Sequence, residues 1–189
     1  MVIIDSLKYF AQFPSRDGVL DMFTNGSSSS FSAYSEVQQF IASLPDARIP
    51  EIVGFVFGQS FDHVKRRIDA LTGTYLFVDF GEFSSSRNPM NSINDTQKMA
   101  ATVAMKLTDA ADLVEVALAT DQTLELTARL RQLLIDDTYG DRCPWLNPIS
   151  DKHDIVPFVS SEFKSVGWTL MFTTTAADLF DVKRRRNDE

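Results

Sequence analysis

One cysteine, Cys143, is all that this chain of 189 residues carries, so no intramolecular disulfide can form. A cysteine-based zinc site is excluded with it, because such sites need several thiolates at set spacing. There are only two histidines, His63 and His153, and neither has a companion ligand at helical or strand spacing. Both read as surface residues. Long apolar runs are missing too: stretches such as Ile52–Phe57 and Tyr75–Val78 fall far short of the ~20 residues that span a bilayer. The start, Met1-Val2-Ile3-Ile4-Asp5, lacks a basic n-region and meets a carboxylate too early for a signal peptide. No membrane partner is expected, and the cytoplasm is the default compartment. Gly54 and Gly58 match neither a P-loop nor a dinucleotide fingerprint.

Positive charge is also in short supply, with 18 Lys and Arg against 26 Asp and Glu, a net charge of −8. That balance opposes wrapping by nucleic acid. The run Lys183–Arg186 could meet a few phosphates, but no recognition helix or RNA-binding pattern accompanies it. The charge is uneven as well. Between Asp109 and Glu162 stand 11 acids and 4 bases, a net of 4 − 11 = −7, while two basic clusters occur at Lys65-Arg66-Arg67 and Lys183-Arg184-Arg185-Arg186. Such asymmetry permits a head-to-tail contact between an acidic and a basic face.

What the chain does have is phenylalanine, 15 residues of 21 aromatics, an efficient filler for a core of this size. With 44% apolar and 23% charged residues, the composition is that of a globular domain. The expected organisation is one α+β domain over 1–182, a flexible Ser-rich loop at 25–30, and a basic tail at 183–189. The fold class expected is an antiparallel sheet with a long-tipped hairpin, packed against two or more helices.

Periodicity gives the elements. Val2–Phe13 has helical spacing, Ser15–Phe23 is a second short element, and Val37, Phe40, Ile41 and Leu44 form a helical stripe ending at Pro45. Glu51–Gly58 reads as a strand. Ser60–Leu71 fits a helix or a twisted hairpin, and the pattern does not separate the two. Thr74–Phe83 is a strand with Leu76, Val78 and Phe80 on one face and Tyr75, Phe77 and Asp79 on the other. Lys98–Leu107 turns Met99, Ala101, Val103, Met105 and Leu107 inward and Lys98, Thr102 and Lys106 outward. The polar stretch Ser84–Thr96 between them is read as a long connecting tip. A helical region begins at Asp109, with stripes of Leu113, Val116, Ala117 and then Leu124, Leu130, Leu133, Leu134; a break is expected at Thr120-Asp121 and an end near Tyr139-Gly140. Strands at Ile155–Val159 and Gly167–Thr174 finish the domain.

Residues able to carry chemistry are sparse. Asp79 and Glu82 could form an acid pair, Cys143 with His153 a nucleophilic pair, and Asp136, Asp137 and Asp141 a site for a hard cation. Strand-edge, turn and helix-end positions explain each more simply. No catalytic residue, metal site or cofactor is assigned.

With Thr74–Phe83, Lys98–Leu107, Asp109–Asp137 and Gly167–Thr174 in this order, and the stretch Gly167-Trp168-Thr169-Leu170-Met171-Phe172, the chain resembles tail-terminator and tail-completion (neck) proteins of tailed bacteriophages. The resemblance covers about the last two-thirds of the chain. It implies a non-enzymatic virion subunit that closes into a homo-oligomeric ring, commonly a hexamer, capping the tail tube and meeting the head connector. It also implies assembly in the bacterial cytoplasm. The interface residues expected are Lys65, Arg66, Arg67, Arg87, Asn88, Asp136, Asp137, Asp141, Lys183, Arg184, Arg185 and Arg186. The alternative is a soluble, non-enzymatic adaptor or regulatory protein of a bacterial mobile element.

Overall fold

The computed structural model describes residues 2–24, 29–59, 61–87, 89, 91–139 and 152–176, apart from the side chains of 61–63, 139 and 176. Most of the Ser-rich loop, Asn88, Asp141, Cys143 and the basic tail Lys183–Arg186 lie outside them, as does the side chain of His63.

Ten elements follow in order: α1 (Val2–Phe10), α2 (Arg16–Leu20), α3 (Ala33–Ala42), β1 (Gly54–Gly58), α4 (Phe61–Ala70), β2 (Thr74–Arg87), β3 (Ile93–Lys106), α5 (Leu113–Tyr139), β4 (Asp154–Ser160) and β5 (Ser165–Ala176). The strands form one mixed five-stranded sheet in the order β1-β2-β3-β5-β4. The fold is α+β, with helices packed on the sheet. All neighbours are antiparallel except β1 and β2, which run parallel in the register Gly54↔Tyr75 to Gly58↔Asp79. A parallel pair needs a crossover, and α4 supplies it. Residues 61–70 are therefore helix, the outcome that periodicity alone left open.

The two faces are unequal. On one, α1, α2, α3 and α5 bury Phe10, Val19, Ile41, Leu130 and Leu134 against Leu76, Val78, Ala101, Val103 and Leu170. On the other, α4 places Val64 and Ile68 on Val56, Tyr75, Phe77 and Ala104. The alternation expected for β2 is borne out, with Leu76 and Val78 facing one layer and Tyr75 and Phe77 the other. Thr102 departs from its expected outward, solvated place. It is buried on the α4 face, where its hydroxyl meets that of Thr169 at 2.8 Å.

The stretch 84–96 corrects the expected loop. Strand pairing continues from Glu82↔Lys98 through Ser84↔Thr96 to Arg87↔Ile93, so the hairpin is a ribbon almost to its end. A β-bulge between Asp79 and Glu82 lets this happen: one extra residue on β2 shifts its phase. Gly81 holds the bulge with φ +60, and a Cβ there would stand 1.8 Å from the Lys98 carbonyl oxygen. Beyond it, Phe83 and Ser85 pair with Gln97 and Asp95, and Ser84–Arg87 are exposed. β5 accompanies β3 as far as Asp95↔Ala176.

Helix α5 is unbroken over 27 residues, against the expected interruption at Thr120-Asp121. Asp112 starts it, its Oδ1 accepting the Val114 and Glu115 N–H groups at 2.9 and 3.2 Å. Threonine within the helix is tolerated because the hydroxyls of Thr120, Thr123 and Thr127 donate to the Val116, Ala119 and Thr123 carbonyls at 2.7–2.8 Å. Trp168 Nε1 adds a clamp from β5, donating to the Thr120 carbonyl at 2.9 Å. The inward stripe is Ala119, Thr123, Leu126, Thr127, Leu130 and Leu134. Leu113 and Leu124 of the expected stripes face solvent instead.

Both margins of the sheet have their own treatment. Just before β1, Ser15 N–H donates to the Ile52 carbonyl, and on β1 the Arg67 guanidinium reaches the Phe55 carbonyl as well as that of Gly18. The opposite margin, β4, carries Pro157 opposite Trp168 in mid-strand.

Candidate functional site

Among the described residues, no group of three or more His, Cys, Asp or Glu is placed to hold a metal ion. Among the same residues, no helix is long and apolar enough to cross a membrane. The Asp79–Glu82 pair belongs to the bulge: Asp79 Oδ1 accepts the Gly81 N–H at 2.8 Å, and Glu82 sits exposed opposite Lys98. Partial burial raises the Asp79 pKa, the Gly81 N–H opposing the shift. The folded state thus holds this proton more tightly than the unfolded chain. Stability from this group is full below the ordinary carboxylate range and falls as pH rises through the raised value. Asp79→Asn, which keeps the acceptor for Gly81, should flatten that part of a stability-versus-pH curve measured by urea denaturation.

The residues expected at an interface separate into distinct environments. Lys65 Nζ pairs with Glu162, both side chains about half exposed, while Arg66 on the same helix is exposed. Arg67 is spent on backbone carbonyls and reads as structural. Arg87 donates to Asn91 Oδ1 at 2.8 Å near the ribbon tip, and Asp136 accepts from Gln132 at 2.8 Å.

Asp137 is a correction. It is buried, accepts a 2.7 Å bond from the Tyr9 hydroxyl, and receives Arg48 through both guanidinium nitrogens. Burial works against the Arg48 charge, but hydrogen bonds and attraction from Asp137 outweigh it and raise its pKa. Arg48 also lies 4.9 Å from the Phe13 ring centroid. This cluster joins α1, the segment after α3 and the last turns of α5, so Asp137 is unavailable for surface contact.

Among the described residues, two apolar surfaces stand out. The first is the outer face of α5 in its first turn and a half. Leu113, Val114 and Leu118 are 79%, 67% and 67% exposed, with Ala117 among them. They lie on the far side of the helix from Leu126 and Leu130. Asp109 and Asp112 precede the helix and Glu115 lies in its first turn. The Glu115 carboxylate is held below its ordinary pKa by the N–H groups of Thr108 and Asp109, which it accepts at 2.7 and 2.9 Å. The second is a groove of about 400 Å³ walled by α1 and α3, with Ile4, Leu7, Tyr34 and Val37 on its sides, Phe57 at its floor and Phe31 at its lip. Its volume is within the range of small-ligand pockets, but its lining offers almost no polar group to orient one.

At the other end of the sheet a polar cleft of about 450 Å³ includes Asp69, Thr72, Lys106, Glu162 and Lys164. Lys106 Nζ donates to the Phe163 carbonyl at 2.9 Å, and burial lowers its pKa against the pull of Asp69.

Neither ridge nor groove was anticipated. The signal for the ridge was present in Leu113-Val114 and Ala117-Leu118: apolar pairs four residues apart that cannot share a face with Leu126, Leu130 and Leu134. The groove has no sequence signal, because its residues come from four separate segments. No family model, curated protein or solved structure matches the chain.

Proposed function

We propose that this chain is a non-enzymatic structural subunit of a tailed bacteriophage, of the tail-terminator or neck type, which closes into a ring between tail tube and head connector. The observation that carries the reading is the arm formed by β2 and β3. It continues past the bulge with exposed Ser84–Arg87 and adds nothing there to the apolar core. Beyond the end of β5 its outermost pairs, Ser86↔Asn94 and Arg87↔Ile93, run on as a two-stranded tip, which is marginal by itself and suits a reach to a neighbouring molecule. The apolar ridge on α5 supports the same reading, since a patch of large exposed side chains marks a docking surface.

In such a ring the subunit resides in the virion after assembly in the host cytoplasm, and works by shape and charge rather than by bond-making. Light scattering and negative-stain microscopy of the full chain should show a closed ring, and the protein should bind tail tubes. A strictly monomeric protein that ignores tail tubes overturns the reading. If a pull-down then recovers a cytosolic partner and no tail component, the adaptor role takes its place.

A further inference from the structure

From the two unassigned apolar surfaces we infer that the α5 ridge of one copy seats in the α1–α3 groove of the next, a head-to-tail contact between identical chains. This rests on the proposed self-assembly and specifies the surfaces that carry it.

Size and shape select this occupant. The ridge is convex and helical; the groove is concave, apolar and walled by two helices, the arrangement in which an amphipathic helix is bound by its apolar face. An engineered cavity of roughly 150 Å³ is filled by one benzene-sized apolar group. A groove of about 400 Å³ therefore takes two or three side chains, the number that Leu113, Val114 and Leu118 present. With Leu124, 37% exposed, they offer roughly 400 Å² of apolar surface, about half the ~800 Å² that each partner of a stable interface contributes. An apolar half with polar remainder is the usual make-up of such a footprint, and the exposed Asp121 and Glu125, three and seven residues after Leu118, supply the remainder on this side.

Geometry makes the contact intermolecular. The ridge is carried by a helix packed on β3 and β5, and Thr120 is fixed level with Trp168. Leu113–Leu118 extend from there away from the ribbon. The groove lies over β1, two to three strand spacings or roughly 10–14 Å to the side, at the level of Phe57, which is nearer the ribbon end of the sheet. A ridge and a groove at different places on one chain form a heterologous contact, the kind that builds rings when the rotation closes. Charged groups by the groove, Asp5, Lys8 and Glu36, are mixed in sign, so apolar burial carries the contact and salt weakens it little.

The test uses two full-length variants at exposed positions, Leu118→Glu on the ridge and Phe31→Glu at the groove lip, with circular dichroism confirming that each folds. Sedimentation should show each variant alone as a monomer, its association weakened at least about 30-fold as for an interface hot spot. Mixed together they should form a 1:1 dimer, because one intact ridge and one intact groove remain. Variants that still assemble overturn this contact while leaving the ring reading intact, and so does a mixture that stays monomeric. A wild-type chain that is monomeric at every concentration removes this contact, and one that also ignores tail tubes removes both.

Discussion

Replacing Asp137 with alanine is expected to lower the free energy of unfolding by about 3–5 kcal/mol, the usual cost of removing one partner from a buried ion pair. The substitution leaves the Arg48 guanidinium with one side already packed on Phe13 and no counter-charge, and takes from the buried Tyr9 hydroxyl the acceptor of its 2.7 Å bond. Three segments far apart in sequence lose their common tie. Asp137→Asn should cost less, since the amide oxygen still accepts from Tyr9 or Arg48. The double replacement Arg48→Met with Asp137→Leu should recover most of the loss, because it removes both buried charges together. Urea denaturation of the three variants measures the series. A loss under about 1 kcal/mol for the alanine variant, as for an exposed pair, shows that the cluster is solvated and peripheral.

The second large effect is expected at Gly81. Valine there must adopt a positive φ, a cost of about 1–2 kcal/mol, and its Cβ would overlap the Lys98 carbonyl oxygen. Relieving an overlap of that kind typically costs a further 1–3 kcal/mol or so. The expected total is about 3 kcal/mol in denaturant unfolding, with amide protection along Ser84–Arg87 lost first. Deleting Gly81 is the sharper variant. It removes the bulge, and a one-residue shift turns Phe83 and Ser85 to the opposite face of the sheet. Protection at 84–87 that survives both changes means that the bulge does not hold the arm.

Strand alternation made β2, β3 and β5 legible in the sequence, because both sheet faces are largely apolar and Leu76, Val78, Met99 and Ala101 repeat with period two. Helix α4 was ambiguous on periodicity alone: Phe61, Val64, Ile68 and Leu71 suit a helix, but the stretch between two strands equally suited a hairpin. The parallel pairing of β1 with β2 resolves it. Helix α5 was misread in detail for a specific reason. Two of its inward positions are Thr123 and Thr127, whose hydroxyls are satisfied by the helix's own carbonyls, so the buried stripe looked polar and the exposed one looked apolar. The same disguise hid the ridge. The expected interface was sought in charge, whereas Asp137 is consumed by Arg48 and Tyr9, and Arg67 by backbone carbonyls. Charge pattern in a sequence does not reveal which ions are already paired within the fold.

Pro157 has a consequence for how copies of this chain can accumulate. Proline is tolerated in an edge strand where its missing N–H would have pointed away from the sheet, and here that withdraws a donor from the middle of the margin formed by β4. At the β1 margin, Arg67 takes the Phe55 carbonyl. Backbone templating of the kind that grows fibres is thus interrupted at one point on each margin. Under the proposed contact copies join through side-chain surfaces instead, and such a set is finite once its last knob has found the first socket.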